Sequence, residues 1–96
     1  MTNTSRAVVP TPNASRYLQQ LCKHWSHKFD VTFDPSQGRV ALPTGIASMV
    51  ASDDALTVSL TLNAGGDMAR LRQVVADHLN RFAFREGEFA FDWQPA

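Results

Sequence analysis

The sequence has little of several things, and each scarcity excludes a class of protein. The lone cysteine among its 96 residues, Cys22, cannot form an intrachain disulfide, and no paired-cysteine or HExxH spacing indicates a zinc site. Nine basic residues balance nine acidic ones, so no positive excess is available to bind nucleic-acid phosphates. No apolar run approaches the ~20 residues that cross a bilayer. The sequence therefore predicts neither a nucleic-acid partner nor a membrane partner.

The first ten residues hold one arginine and a three-residue apolar cluster, which is not the pattern of a secretory signal. Together with the lone cysteine, this favours a cytoplasmic location. Residues 1–10 are polar and end in Pro10, so we expect a flexible tail. The chain is long enough for one core, and we expect a single domain over residues 11–94.

Two stretches have the apolar spacing of amphipathic helices. The first is predicted over residues 12–28, with Thr11 as N-cap, Pro12 at the first helical position and an apolar stripe through Leu18 and Trp25. The second begins after the N-cap candidate Asp67 and is predicted to end near residue 84. Each helix therefore has one face to bury.

The remaining stretches alternate in the manner of half-buried strands. Residues 29–34 and 40–42 are predicted to form a first hairpin around the turn at residues 35–38. Residues 56–62 alternate most clearly, whereas 46–52 are apolar on both faces, so their inner face cannot be assigned. Residues 89–93 are predicted to form a final aromatic strand.

These elements predict an α+β two-layer sandwich in the order α-β-β-β-β-α-β. An antiparallel sheet of four to five strands would carry two helices on one face. Its outer face would be small and nearly uncharged, displaying Thr32, Thr57, Ser59, Thr61 and Asp92. Such a face suits either water or a homodimer contact.

Candidate site residues lie at the edges of the two helical stripes. His24 and His78 fall at similar offsets, so the two imidazoles could meet if the helices lie side by side. His27 and Glu86 could join them. Such a set could bind zinc or iron, or could form a general base with an orienting acid. No cofactor is required by the sequence.

Arg81 and Arg85 are one helical turn apart and could grip a carboxylate or a phosphate as planar forks. Each candidate also has an ordinary structural explanation. A histidine beside a helical stripe is commonly a partly buried side chain with one nitrogen bonded to backbone or water. Asp77 precedes Arg81 by four residues, which suits a surface ion pair. Cys22 is better explained as a small buried hydrophobe than as a nucleophile.

The stretches ASRYLQQLCKHWSHKF at residues 14–29 and VVADHLNRFAFRE at residues 74–86 resemble a small bacterial family of unknown function. The resemblance covers about residues 10–94. Relatives occur alone or N-terminal to a siderophore-interacting, FAD-binding reductase domain, which implies an accessory role in releasing iron from ferric siderophores and a flavin reductase as partner. The motif positions of the family correspond here to His24, Trp25, His27, His78, Arg81, Phe82 and Glu86.

Three functional hypotheses follow. The first, which the sequence favours over an enzyme, is a non-catalytic binding or accessory module linked to iron–siderophore utilisation. Its candidate contacts are His24, His27, His78, Arg81, Arg85 and Glu86. The second is a small metal- or histidine-dependent enzyme that uses His24, His78 and Glu86. The third is a homodimeric structural module that pairs through the outer sheet face.

Overall fold

The computed structural model of the chain describes residues 3–82, 89 and 91–95, and within them it shows two helices and six strands. In chain order the elements are β1 (Thr4–Pro10), α1 (Ala14–Trp25), β2 (Asp30–Phe33), β3 (Gln37–Leu42), β4 (Gly45–Ala51), β5 (Ala55–Leu62), α2 (Met68–Phe82) and β6 (Gln94–Pro95). The predicted α+β class, with two helices on an antiparallel sheet, is confirmed. The sheet has six strands rather than four or five.

The sheet has the strand order β2-β3-β4-β5-β1-β6, and every neighbouring pair is antiparallel. Strands β2 to β5 follow one another along the chain as a meander. The two ends of the chain then complete the sheet, because β1 pairs with β5 and β6 pairs with β1. No helix in the described residues is long and apolar enough to cross a membrane.

The prediction of a flexible tail over residues 1–10 is wrong, because Thr4–Pro10 forms β1 inside the sheet. This strand pairs with β5 along its whole length, from Thr4 opposite Thr61 to Pro10 opposite Ala55. Its inward side chains are buried, and two of them, Ser5 and Ala7, are small. Val8 is apolar although its side chain faces outward. The alternation of apolar and polar residues that identifies a half-buried strand is therefore not visible in the sequence.

The predicted final strand over residues 89–93 is also wrong. Phe89 and residues 91–93 are not in a strand, and Gln94–Pro95 pairs with β1 instead. The alternating aromatic rings serve packing: Phe91 and Trp93 stack with their ring centroids 5.5 Å apart, and Phe89 meets Tyr17 edge-on at 5.7 Å. Aromatic pairs of this kind stabilise irregular backbone as well as strands.

Helix α1 is shorter than predicted at both ends. Thr11 does not cap the helix itself; its hydroxyl accepts a hydrogen bond from the backbone N–H of Asn13, which is the residue before the helix. At the other end, the Ser26 hydroxyl donates to the carbonyl of Lys23, and the chain turns through residues 26–28. At the start of α2, the prediction for Asp67 is confirmed, since its carboxylate accepts the N–H of Ala69 at 3.0 Å.

Both helices lie on the same face of the sheet, and two inward glycines let them approach closely. A Cβ at Gly38 on β3 would meet Cys22 of α1, and a Cβ at Gly45 on β4 would meet Leu71 of α2. The inner face of β4 is now assigned, because Ala47 and Met49 are buried beneath the helices. The helices therefore lie side by side and leave a seam between them.

Candidate functional site

A groove of about 370 Å³ lies where α1, α2 and the turn between β3 and β4 meet. We call it the α1–α2 groove. It is lined by His24, Trp25, Lys28, Phe29, Leu42, Pro43, Thr44, Arg70, Val74 and His78. Its volume lies within the range of small-molecule sites, and its described lining combines aromatic and charged side chains.

The end of α1 supplies one wall of this groove. Trp25 is 3% exposed and belongs to the core, whereas the preceding residue, His24, is exposed. Lys28 follows His24 by four residues, in the turn that comes after the helix, and also lines the groove. The backbone N–H of Phe29 bonds to the carbonyl of Trp25 at 2.9 Å, which holds this turn against the helix end.

Helix α2 supplies the opposite wall. Arg70, Val74 and His78 follow one another at intervals of four residues, which places them on one face over two helical turns. His78 is half-buried, and its Nδ1 lies 2.7 Å from the carbonyl oxygen of Val74. A carbonyl can only accept, so Nδ1 carries the proton and Nε2 of the neutral ring is left with a free lone pair.

The two predicted histidines meet across the seam. Their ring centroids are 5.6 Å apart, with planes tilted by 42°. The ring of Trp25 lies 5.0 Å from that of His78, and the ring of Phe82 lies 5.8 Å from that of His24. The expected proximity of His24 and His78 is confirmed, while their role in binding stays a prediction.

The described residues that line the groove include two positively charged side chains. Lys28 and Arg70 line it together with the two imidazoles, and no aspartate or glutamate is among these described residues. Fixed positive charges beside aromatic rings, without a compensating carboxylate, attract anions and repel free cations. The local charge therefore differs from the neutral balance of the whole chain.

The other predicted site residues do not join this pair in the described part of the chain. His27 and Arg81 are exposed, and neither lines the α1–α2 groove. Arg85 and Glu86 lie outside the described residues. Among residues 3–82, 89 and 91–95, no three His, Cys, Asp or Glu side chains converge on a point that could hold a metal ion. The candidate metal set of His24, His27 and His78 is therefore reduced to a pair, because His27 follows the helix end and lies outside the seam.

Two charged groove residues, Lys28 and Arg70, were missed by the sequence reasoning. A signal existed for both, since each lies at a multiple of four residues from a predicted histidine: Lys28 from His24, and Arg70 from His78. Pro43 and Thr44, in the turn between β3 and β4, close one side of the groove.

The free cysteine is not part of the groove. Cys22 is fully buried on the face of α1 that packs on the sheet, and this burial raises the pKa of its thiol from 9.0 to about 11. Nucleophilic attack and metal ligation both require the thiolate, which is scarce at neutral pH in such a site. The prediction of a small buried residue at this position is confirmed.

Residues 6–94 match the profile of a family described as "Uncharacterized protein conserved in bacteria (DUF2218)". The chain belongs to this family. A solved structure, the NMR structure of PA4090 from Pseudomonas aeruginosa, is similar at 35% identity and a TM-score of 0.79. The match covers 100% of this chain and 98% of that one, so the whole fold is shared. No curated protein matches the sequence. The expected membership of a small bacterial family is confirmed.

Proposed function

We propose that this protein is a non-catalytic binding module whose ligand enters the α1–α2 groove. The observation that carries the proposal is the meeting of His24 and His78, 5.6 Å apart between ring centroids, in a groove that also contains Lys28 and Arg70. Three side chains able to donate hydrogen bonds, those of His24, Lys28 and Arg70, thus line one concave surface together with the acceptor Nε2 of His78. Such convergence on a partly apolar surface is typical of a ligand site.

The chemistry of the groove favours a small aromatic anion. The Arg70 guanidinium can grip a carboxylate through a planar fork, and Lys28 supplies a second positive charge. The half-buried side chains of Phe29 and Val74 provide apolar surface for a ring, and the imidazole of His78 lies beside the buried Trp25. The positive charges increase the binding affinity of an anion, whereas a neutral ring is stabilised by burial of its apolar surface alone.

This ligand class supports a link to iron–siderophore utilisation. Catechol carboxylates, which are building blocks of many siderophores, combine a flat ring with negative charge. A module that binds such a ligand would assist a siderophore-interacting flavin reductase, which is the accessory role that the family resemblance implies. The link rests on the family resemblance and on the proposed ligand class, and ligand binding tests it.

The groove favours binding over catalysis. A histidine acting as general base is commonly oriented by a carboxylate, and none lines the groove in the described residues. The thiol of Cys22 is buried elsewhere with a raised pKa of about 11. The described lining residues therefore offer hydrogen-bond donors and positive charge, and none of them is an activated nucleophile.

Isothermal titration calorimetry with 2,3-dihydroxybenzoate tests the proposal, and catechol provides a neutral probe with the same ring. We expect saturable binding of the carboxylate and at least tenfold weaker binding of catechol, a loss of about 1.4 kcal/mol or more. Arg70→Ala should weaken the binding of the carboxylate by a similar factor. The ionic strength is held constant, because these interactions are screened by salt.

The matched control is Arg39→Ala, which removes an exposed arginine from β3, away from the groove. It should leave the affinity for 2,3-dihydroxybenzoate unchanged. Absence of saturable binding, or an equal loss of affinity in the two arginine variants, would show that the α1–α2 groove is not the binding site.

A further inference from the structure

The two edge strands of the sheet differ in how they are protected against pairing with another strand. At one edge, β6 has only two residues, Gln94 and Pro95, and proline has no N–H to offer. At the other edge, β2 has four residues and contains neither proline nor lysine. Among the described strands, its one neighbour is β3. An edge of this second kind can accept a further strand.

The backbone groups that β2 presents at its open edge belong to Val31 and Phe33. The N–H of Asp34 donates to the carbonyl of Gln37 at 2.8 Å, so the backbone of Asp34 faces β3. Backbone groups of successive residues in an antiparallel strand point to opposite sides. Those of Thr32 therefore also face β3, whereas those of Val31 and Phe33 point away from it.

The inner side chains of β2 are apolar and incompletely buried. Val31 pairs with the buried Val40, which places it on the face that the helices cover, and Phe33 shares that face because it is two residues further along. Val31 is nevertheless only half-buried, and 37% of Phe33 is exposed. A further strand at this edge would remove the remaining apolar surface from water, which favours its addition.

Strand β2 is complementary to a second copy of itself. If two copies pair antiparallel about a two-fold axis at Thr32, Val31 of each copy stands opposite Phe33 of the other. Both residues direct their N–H and C=O groups to the open edge, so each such pair exchanges two hydrogen bonds. The inner face then gains pairs of an aromatic and a β-branched side chain, and the two threonines meet on the outer face. Both kinds of cross-strand pair are favourable.

We propose that β2 binds β2 of a second copy of this chain in this register, so that the two sheets join edge to edge into one continuous sheet. The two-fold axis is perpendicular to the sheet, and the helices of both copies therefore lie on the same face. This contact uses the edge of the sheet, whereas the homodimer predicted from the sequence uses the outer face. It also goes beyond the proposed function, because it does not depend on a ligand in the α1–α2 groove.

Asp30 limits the strength of this contact. It is exposed on the outer face, and the register places it opposite Asp34 of the other copy. The Asp34 carboxylate accepts the backbone N–H groups of Ser36 and Gln37, at 2.7 and 2.9 Å, which holds it in its own turn. Like charges that stand directly opposite each other are destabilising, and such charges restrain edge-to-edge association. The expected dimer is therefore weak and depends on protein concentration.

The test follows amide chemical shifts of the ¹⁵N-labelled full-length protein from micromolar to millimolar concentration, with light scattering to give the mass. The amides of Val31 and Phe33 should show saturable downfield shifts as they gain hydrogen bonds. The amides of Val8 and Val50, which are exposed on the outer face, should not shift. The mass should rise toward that of a dimer over the same range of concentration.

Substitutions at exposed positions test the register itself. Asp30→Asn removes the like-charge contacts and should lower the dissociation constant of the dimer by a factor of about five. Thr32→Lys brings two positive charges together at the two-fold axis and should raise that constant by a similar factor. The matched control is Thr61→Lys, the same substitution at an exposed position of β5 on the same sheet face, and it should change nothing. Circular dichroism confirms that each variant is folded.

A monomer mass at all concentrations would overturn the inference. A dimer whose shifts are confined to the outer face, or one that both lysine variants weaken equally, would overturn it as well. A dimer that Asp30→Asn fails to strengthen would contradict the register about Thr32, and with it the edge contact as proposed.

Discussion

Gly38 allows α1 to lie directly on β3. A Cβ at this position would lie 2.7 Å from Cys22 Sγ and 3.3 Å from a Leu18 methyl carbon. Because the interior is close-packed, Gly38→Ala should lower the free energy of unfolding by about 1–3 kcal/mol through overpacking. Urea denaturation measures this change.

The double variant Gly38→Ala with Cys22→Ala separates overpacking from other causes. Removing Sγ deletes the closest atom, so the two substitutions together should be less damaging than the sum of the single effects. Additive effects in this double-mutant cycle would show that the sulfur is not the obstacle.

The buried thiol of Cys22 makes stability depend on pH in the alkaline range. Its pKa is raised from 9.0 to about 11 by burial. Between these values the unfolded chain releases the proton and the folded chain keeps it, so stability is complete below about pH 9 and falls as the pH rises toward 11. Denaturation curves should show a steeper alkaline loss than those of Cys22→Ala. Parallel losses in the two proteins would contradict this.

The sequence predicted His24 and His78 as a pair, but it could not predict the whole groove. Both histidines border helical stripes, and helix periodicity is enough to place them on matching edges. Arg70 lies two turns before His78, in the first turn of α2, and helix periodicity places both on one face without indicating what lies opposite them. Its position in the groove depends on how α1 and the β3–β4 turn pack, which is tertiary information.

At the scale of elements, β1 is the largest departure from the sequence prediction. Its inward row begins with small residues, Ser5 and Ala7, and its outward row contains Val8 and Pro10. Period-two patterning is therefore weak, and pairing with β5 decides the structure. The hydroxyl of Ser5 also receives two hydrogen bonds from the Arg72 guanidinium, at 3.1 and 2.8 Å, which no local pattern predicts.

Neighbouring valines of β1 give a matched test of its place in the sheet. Val9 is 1% exposed and Val8 is 54% exposed. Val9→Thr buries a hydroxyl and should destabilise the protein by about 1–3 kcal/mol, whereas Val8→Thr should change stability by less than about 0.5 kcal/mol. Thermal denaturation compares the two variants. Equal and negligible effects would instead support a flexible tail.

The antiparallel order of strands β2 to β5 was easier to predict than the addition of β1 and β6 to the sheet. Strands β2 to β5 are joined by short turns, so hairpin chemistry predicts both their existence and their antiparallel neighbours. The insertion of β1 between β5 and β6 joins residues about ninety positions apart, such as Ser5 and Pro95. Such pairing depends on the whole core, and local sequence does not specify it.

At the scale of the whole molecule, the two described helices cover one face of the sheet and leave the other face, the outer one, without either of them. The predicted outward residues Thr57, Ser59 and Thr61 lie there, but the face is less neutral than expected. A row of paired positions crosses four strands as Arg6, Ser59, Ser48 and Arg39. An arginine therefore stands at each end of this row. If two copies of the protein met through this face with their arginines opposite each other, the like charges would repel.

The homodimer through this face stays a prediction, and the molecular mass in solution tests it. Val8 and Val50 are more than half exposed there and would form the apolar centre of a contact. If the dimer forms, light scattering should give twice the monomer mass at high concentration, and Val50→Arg should restore the monomer by adding charge to the interface. A monomer mass at all concentrations would exclude this dimer.

The central claim is that the α1–α2 groove is the functional site. Amide chemical-shift mapping of the ¹⁵N-labelled protein with 2,3-dihydroxybenzoate tests it most directly, because each residue reports separately. We expect saturable shifts at Trp25, Thr44, Arg70 and His78, and none at Arg39 or Ser48 on the outer sheet face. Shifts confined to the outer face, or no saturable shift at any residue, would contradict the account.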